Sequence, residues 1–198
     1  MFCQKCGAEK EKVKKPIYKR PWFIILIVII VFGAIGQAAG GGTSSDGDGQ
    51  TVAEVDSIDD AKRADTAIYG MLLSAQDQMN QLSETMSDGS SELTIYDKCK
   101  SVKSTLDKLH KQIQGNSTDA NSDYVMYACY YIISMKSSCD GVMDYIDKHE
   151  MKYLSDAKSD IETAGSYLQS AFIARQAYLM ACGMTEDEIT EYNKQFED

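Results

Sequence analysis

Two cysteines near the N-terminus have the spacing of a metal site. Cys3 and Cys6 are separated by two residues and followed by Gly7. Two thiolates three residues apart can bind one zinc ion, and a glycine after them permits the tight turn that brings backbone amides towards the sulfurs. The spacing therefore predicts a zinc knuckle in which Cys3 and Cys6 are the ligands.

The segment Met1-Phe-Cys-Gln-Lys-Cys-Gly-Ala8 resembles the start of the zinc-ribbon domains that open many bacterial single-pass membrane proteins. In those proteins a knuckle, a transmembrane helix and an exported domain follow one another. The resemblance covers residues 1–8 closely and the order of the segments loosely. It implies a cytoplasmic zinc site that uses Cys3 and Cys6.

The chain departs from the zinc-ribbon pattern in one respect. A full ribbon contains a second cysteine pair, whereas residues 9–20 contain neither cysteine nor histidine. Two thiolates leave a tetrahedral zinc site incomplete, so the other ligands would come from a second chain, another protein or solvent. A symmetric homodimer would supply Cys3 and Cys6 twice. The alternative is a degenerate remnant that binds no metal tightly.

Charge divides the chain into segments with different surroundings. Residues 1–21 carry a net charge of +5 and residues 51–198 a net charge of −13. Residues 22–39, between them, have no charged side chain and would span roughly 27 Å as a helix, close to the thickness of a bilayer core. We predict a transmembrane helix there, with Lys19 and Arg20 on the cytoplasmic side. The alternative is a signal peptide, cleaved near residues 36–38.

The remaining boundaries follow from composition. Residues 1–21 form the cytoplasmic basic head, residues 40–56 a flexible linker rich in Gly, Ser and Asp, and residues 57–198 an acidic domain outside the cytoplasm. The net charge of the whole chain is −10, which disfavours a nucleic-acid-binding protein.

The exported domain is predicted to be all-α. No proline follows Pro21, and from Ile58 onwards apolar residues recur at steps of three and four. Four helices are expected, at residues 58–86, 95–113, from about Thr118 to Ile146, and 154–182. The core stripe of the first is expected to start at Ile58, and that of the second to consist of Ile95, Cys99, Val102, Leu106, Leu109 and Ile113. Thr185-Glu-Asp-Glu188 predicts the cap of a short last helix. The expected fold is an antiparallel four-helix bundle with a short C-terminal helix lying over one end. Self-association as a coiled coil is the alternative.

Several side chains of the bundle could carry chemistry. Cys99, Cys129, Cys139 and Cys182 all lie on or beside the apolar stripes, so buried free thiols are expected, and the register of helices two and three also permits a Cys99–Cys139 disulfide. The two histidines, at positions 110 and 149, lie too far apart to share a metal and are expected at the surface. Three tyrosines on helix three would either line the core or form an exposed patch: Tyr124, Tyr127 and Tyr131.

The sequence contains no Ser/His/Asp arrangement, phosphate-binding glycine loop or paired-carboxylate signature, so we expect no enzyme activity. The pattern favours a single-pass, membrane-anchored envelope protein whose acidic bundle binds or scaffolds an unknown envelope protein. The alternative is an anchored or secreted receptor that holds a small apolar ligand inside the bundle. A third interpretation, a sensor in which zinc-dependent dimerisation of the head changes the exported domain, is disfavoured by the flexible linker.

Overall fold

The computed structural model describes residues 57–196. All of the regular structure in that range is helical. The five α-helices are α1 (Ile58–Ser87), α2 (Glu92–Gly115), α3 (Ser122–Lys148), α4 (Met151–Ala181) and α5 (Glu186–Asn193), with a 3₁₀ turn at Lys194–Phe196. The all-α prediction for this part of the chain is therefore confirmed.

Side-chain caps explain where three of the helices begin. The hydroxyl of Ser57 accepts a hydrogen bond from the Asp60 amide at 3.2 Å in the first turn of α1. In α2, the Ser91 hydroxyl accepts one from the Thr94 amide at the same distance. Thr185 and Glu188 form the capping box that the sequence predicts for α5. Each cap satisfies an amide that has no partner inside its own helix.

Helix α3 begins four residues later than predicted, at Ser122. The reason is Asn121, whose buried side chain holds the preceding turn. Its carbonyl oxygen accepts from the Thr118 amide at 2.7 Å, and its amide group donates to the Asn116 carbonyl at 2.9 Å. These bonds replace the first turn that a helix starting at Thr118 would have made.

Contacts between neighbouring helices show that they run antiparallel. The Tyr130 ring of α3 contacts the Tyr167 ring of α4 at a tilt, and further along the same pair of helices Gly141 lies against Ala157. Ion pairs between Lys103 and Asp140 and between Lys136 and Asp107 give α2 and α3 the same relationship. Contacts from α1 to α4 close the ring. The four long helices thus form the predicted antiparallel four-helix bundle.

Helices α3 and α4 approach each other closely at Gly141. A Cβ atom at Gly141 would lie 2.8 Å from the Tyr153 carbonyl oxygen and 2.9 Å from the Ala157 Cβ. Small residues allow this proximity, because α4 presents Ala157, Ala164 and Ala171 to the core. Of all the pairs of helices, α3 and α4 pack most extensively.

The predicted apolar stripes form most of the core. On α2 the buried set coincides with the prediction: Ile95, Cys99, Val102, Leu106, Leu109 and Ile113. Ile58, predicted as the first core position of α1, is exposed instead. None of the helices between residues 57 and 196 is sufficiently long and apolar to cross a bilayer.

Candidate functional site

The predicted zinc ligands and the predicted membrane span lie outside the described residues. Cys3 and Cys6, the transmembrane segment 22–39 and the linker 40–56 all precede residue 57. Within residues 57–196, no three His, Cys, Asp or Glu side chains come together as metal ligands.

The two histidines lie near the surface, as expected. His110 is half-buried on α2, and burial together with the nearby Lys136 ammonium lowers its pKa, although the Asp107 carboxylate opposes this. His149 is exposed and ends α3 in the left-handed conformation, with φ of 55°.

The four cysteines of the bundle are all buried, and none of them forms a disulfide within residues 57–196. Cys99 and Cys139 face each other across α2 and α3, and the Cys139 thiol is the main cause of a strongly raised Cys99 pKa. The predicted proximity of the two cysteines is therefore supported, while the ion pairs between α2 and α3 place Cys99 about level with residue 144 and the two sulfurs are not bonded in this structure. Burial raises the pKa of Cys129 to about 11.

The tyrosines of α3 do not form one exposed patch. Tyr124 and Tyr131 are core residues, Tyr127 is half-buried, and Tyr130 is 41% exposed. Tyr124 differs from the expected core tyrosine, whose hydroxyl reaches solvent, because its hydroxyl is buried and has no hydrogen-bond partner within residues 57–196.

A buried ion pair joins α1 to α4. Arg175 donates from Nε to Oδ1 of Asp65 at 2.6 Å and from Nη2 to Oδ2 at 2.8 Å. Asp65 is fully buried and Arg175 is 7% exposed. Burial lowers the pKa of Arg175, but the hydrogen bonds and charge of Asp65 outweigh this effect and keep the pKa above its usual value. The Arg175 guanidinium therefore stays charged, and it faces the buried Asp65 carboxyl group.

Aromatic rings and α5 surround the Arg175 guanidinium. Its central carbon lies 4.6 Å from the centre of the Tyr69 ring and 5.6 Å from that of Phe196. Asn193 accepts from Nη1 at 2.9 Å, which uses a further donor of the guanidinium. The Tyr192 hydroxyl donates to the Lys62 carbonyl at 3.0 Å. Helix α5 and the turn after it therefore cover the ion pair, as predicted for a helix folded over one end of the bundle.

The repeat of apolar residues does not predict the buried ion pair. Two charged residues at core positions of α1 and α4 do indicate it. Asp65 lies between the core residues Ala61 and Ile68, at the spacing of a further core position. Arg175 has the same placement between Ala171 and Tyr178. A charged residue at a core position of one helix requires an opposite charge on another. The guanidinium is engaged with Asp65 and Asn193, so loss of either charged partner would leave the other charge buried and unpaired.

A row of apolar side chains is left exposed on α3. Met126, Tyr130 and Ile133 are 37%, 41% and 45% exposed and follow i, i+4, i+7 spacing. We call this set the α3 stripe. Such spacing places three side chains on one face, in the arrangement that a helix uses to anchor itself in a partner's groove.

A cleft in the bundle is too small for a typical ligand. It is lined by apolar side chains that include Met79, Leu82 and Val142, and its empty volume of about 230 Å³ includes open solvent. Ligand pockets generally measure about 300 to 1,000 Å³. The cleft therefore gives little support to a receptor for an apolar molecule.

Comparisons of the chain with protein-family models, with curated proteins and with solved structures find no match.

Proposed function

We propose that this chain is a single-pass, membrane-anchored envelope protein without enzyme activity, whose exported acidic bundle binds or scaffolds a protein partner. The observation that carries the proposal is the α3 stripe, an exposed apolar face on a strongly acidic bundle. Support for the anchor comes from the uncharged segment 22–39, which separates a basic from an acidic region.

The geometry of the bundle fits binding better than catalysis. Its most buried charged groups, Asp65 and Arg175, neutralise each other and lie beneath α5. An active site generally presents perturbed titratable groups in an open cleft. The α3 stripe instead presents an apolar helix face, which is the kind of surface that a groove in a protein partner recognises.

The N-terminal head is proposed to bind zinc through Cys3 and Cys6. Two thiolates supply half of a tetrahedral set, so a homodimer would complete it. Native mass spectrometry of the full chain in detergent tests this directly. One zinc per two chains, lost when both cysteines are changed to serine, supports the proposal, and a metal-free monomer contradicts it.

The membrane anchor is tested by fractionation of cells that produce the full chain. We expect the intact protein in the membrane fraction after carbonate extraction. Protease added to spheroplasts should digest residues 57–198 and leave an N-terminal tag inside the cell protected. A soluble product that lacks residues 1–38 would show instead that the apolar segment is a cleaved signal peptide.

Partner binding is tested by a photo-crosslinking amino acid at position 130 of the full chain in cells. We expect one discrete adduct, which disappears when Ile133→Asp is added. The matched control places the same crosslinker at Leu93, which is 70% exposed outside the α3 stripe. Equal labelling from both positions, or none from position 130, would contradict the proposal.

A further inference from the structure

Two buried thiols meet at the contact between α2 and α3. Cys99 and Cys139 are both fully buried, and each is a free thiol. Interaction with the Cys139 thiol is the largest cause of the raised Cys99 pKa, which indicates that the two thiols are neighbours. For Cys129, in contrast, burial alone raises the pKa.

The helix register holds the two sulfurs together. Lys103, one turn after Cys99, forms an ion pair with Asp140, the residue next to Cys139. A second ion pair, between Lys136 and Asp107, connects the same two helices further along. Both ion pairs give α2 and α3 the same antiparallel register, in which the turn that contains Cys99 and Lys103 packs beside the turn that contains Cys139 and Asp140.

We propose that Cys99 and Cys139 are a redox-active pair that forms a disulfide and covalently joins α2 to α3. The proposal goes beyond membrane anchoring and partner binding, because it requires only a disulfide oxidant and the helix register seen here.

The reaction balances as a thiol–disulfide exchange with a small disulfide such as oxidised glutathione. One cysteine thiolate attacks a sulfur of the oxidant, which forms a mixed disulfide and expels one glutathione thiolate. The second cysteine then attacks the mixed disulfide and expels the other. The protein loses two thiol protons and two electrons and gains one sulfur–sulfur bond, while the oxidant is reduced to two thiols.

Burial determines when this exchange can occur. The neighbouring Cys139 thiol and burial both raise the pKa of Cys99, so little thiolate forms, and neither sulfur contacts solvent in the folded bundle. Thiolates are the attacking species. Oxidation should therefore be rapid while the chain folds and slow once α2 and α3 have packed.

The test uses the full chain in detergent micelles with Cys3→Ser and Cys6→Ser, which leaves only the four bundle thiols. The protein is unfolded in denaturant and refolded with either oxidised or reduced glutathione. We expect the oxidised sample to lose about 2 Da and two of its four alkylatable thiols. Peptide mapping should place the crosslink between Cys99 and Cys139.

Matched variants identify the pair. Adding Cys129→Ser and Cys182→Ser should preserve the crosslink, whereas adding Cys99→Ser alone should abolish it. Four free thiols after oxidative refolding, or a main crosslink that contains Cys129 or Cys182, would overturn the proposal. These results do not depend on where the protein resides in a cell, so a failure of the membrane-anchor proposal would be seen separately.

Thermal unfolding provides a second measurement. A crosslink across this length of chain restricts the unfolded state, so we expect the oxidised form to melt roughly 10 °C above the reduced form. A lower Tm for the oxidised form would show that the bundle does not accommodate the disulfide and would also overturn the proposal.

Discussion

Arg175 donates two hydrogen bonds to the Asp65 carboxylate in the interior of the bundle, and this pair connects the first long helix to the last. Removing one partner leaves the other as an uncompensated buried charge. Arg175→Ala should therefore lower the free energy of unfolding by about 3 to 5 kcal/mol, measured by urea denaturation.

The control for this prediction is Lys148→Ala. Lys148 pairs with Asp144 at 3.0 Å, but both side chains are nearly half exposed, so the loss should be below about 1 kcal/mol. The double variant Asp65→Leu/Arg175→Met should be more stable than either single variant, since it leaves no buried charge. A small effect of Arg175→Ala alone would show that the pair adds little to stability.

Gly141→Ala should destabilise the bundle by about 1 to 3 kcal/mol, because the new methyl group would meet backbone and Cβ atoms of α4 at less than 3.0 Å. Thermal or urea unfolding measures the change. Gly165→Ala is the matched control within a helix, since a Cβ atom added there would have no neighbour within 4 Å. It should be stabilising by up to about 1 kcal/mol. Equal effects of the two substitutions would contradict the close approach of α3 and α4.

Tyr124→Phe should leave stability unchanged or raise it by up to about 1 kcal/mol. The Tyr124 hydroxyl is buried without a hydrogen-bond partner, and burial chiefly raises its pKa, with a smaller contribution from Asp65. Removing an unpaired polar group from a core removes its desolvation penalty. Urea unfolding of the variant measures the change, with Tyr131→Phe as the comparison on the same helix. A loss above about 1 kcal/mol would mean that the hydroxyl is bonded in solution.

Thr185→Ala should loosen α5 without unfolding the bundle. The substitution removes a side-chain cap, a change that typically costs about 1 kcal/mol. Amide hydrogen exchange should accelerate in residues 186–196 and stay unchanged in α2 and α3. Thr190→Ala, on the exposed side of the same helix, is the control. Unchanged exchange in α5 would show that the cap is not needed there.

The same cap should make α5 sensitive to acid. Hydrogen bonds from the Thr185 backbone amide and hydroxyl lower the pKa of Glu188 below its reference value of 4.5. Because the folded-state pKa is depressed, the stabilisation is present above pH 4.5 and disappears as the pH falls through the folded value. Nuclear magnetic resonance shifts of α5 amides should therefore move towards random-coil values in acid. Glu188→Gln should remove most of this pH dependence, and identical titrations would contradict it.

Much of the fold could be predicted because a buried helix face repeats at steps of three and four residues. The stripe of α2 was predicted residue by residue, and Thr185 with Glu188 marked the start of α5. The first turn of α3 could not be predicted by the same rule. Asn121 competes there with helix formation through its own side-chain bonds, which apolar periodicity does not register.

The polar part of the interior was harder to predict for a related reason. Asp65 and Arg175 interrupt apolar stripes at positions 110 residues apart, and only the packing of α1 against α4 brings them together. The proximity of Cys99 and Cys139 is easier to predict from the sequence, because the short connection between α2 and α3 limits how the two helices can align. Contacts between consecutive helices can be predicted from the short connection that joins them. Contacts between α1 and α4 depend on how the whole bundle packs.

This difference in separation gives the bundle an order of assembly. Consecutive long helices are joined by short connections, so each pair can pack with little loss of chain entropy. The interface between α1 and α4 instead requires closure of a loop of about one hundred residues between Asp65 and Arg175. Mostly local pairings favour rapid folding. The α-helical hairpins should therefore form first. The ion pair between Asp65 and Arg175 should form last, when α1 packs against α4 and the four-helix bundle is complete.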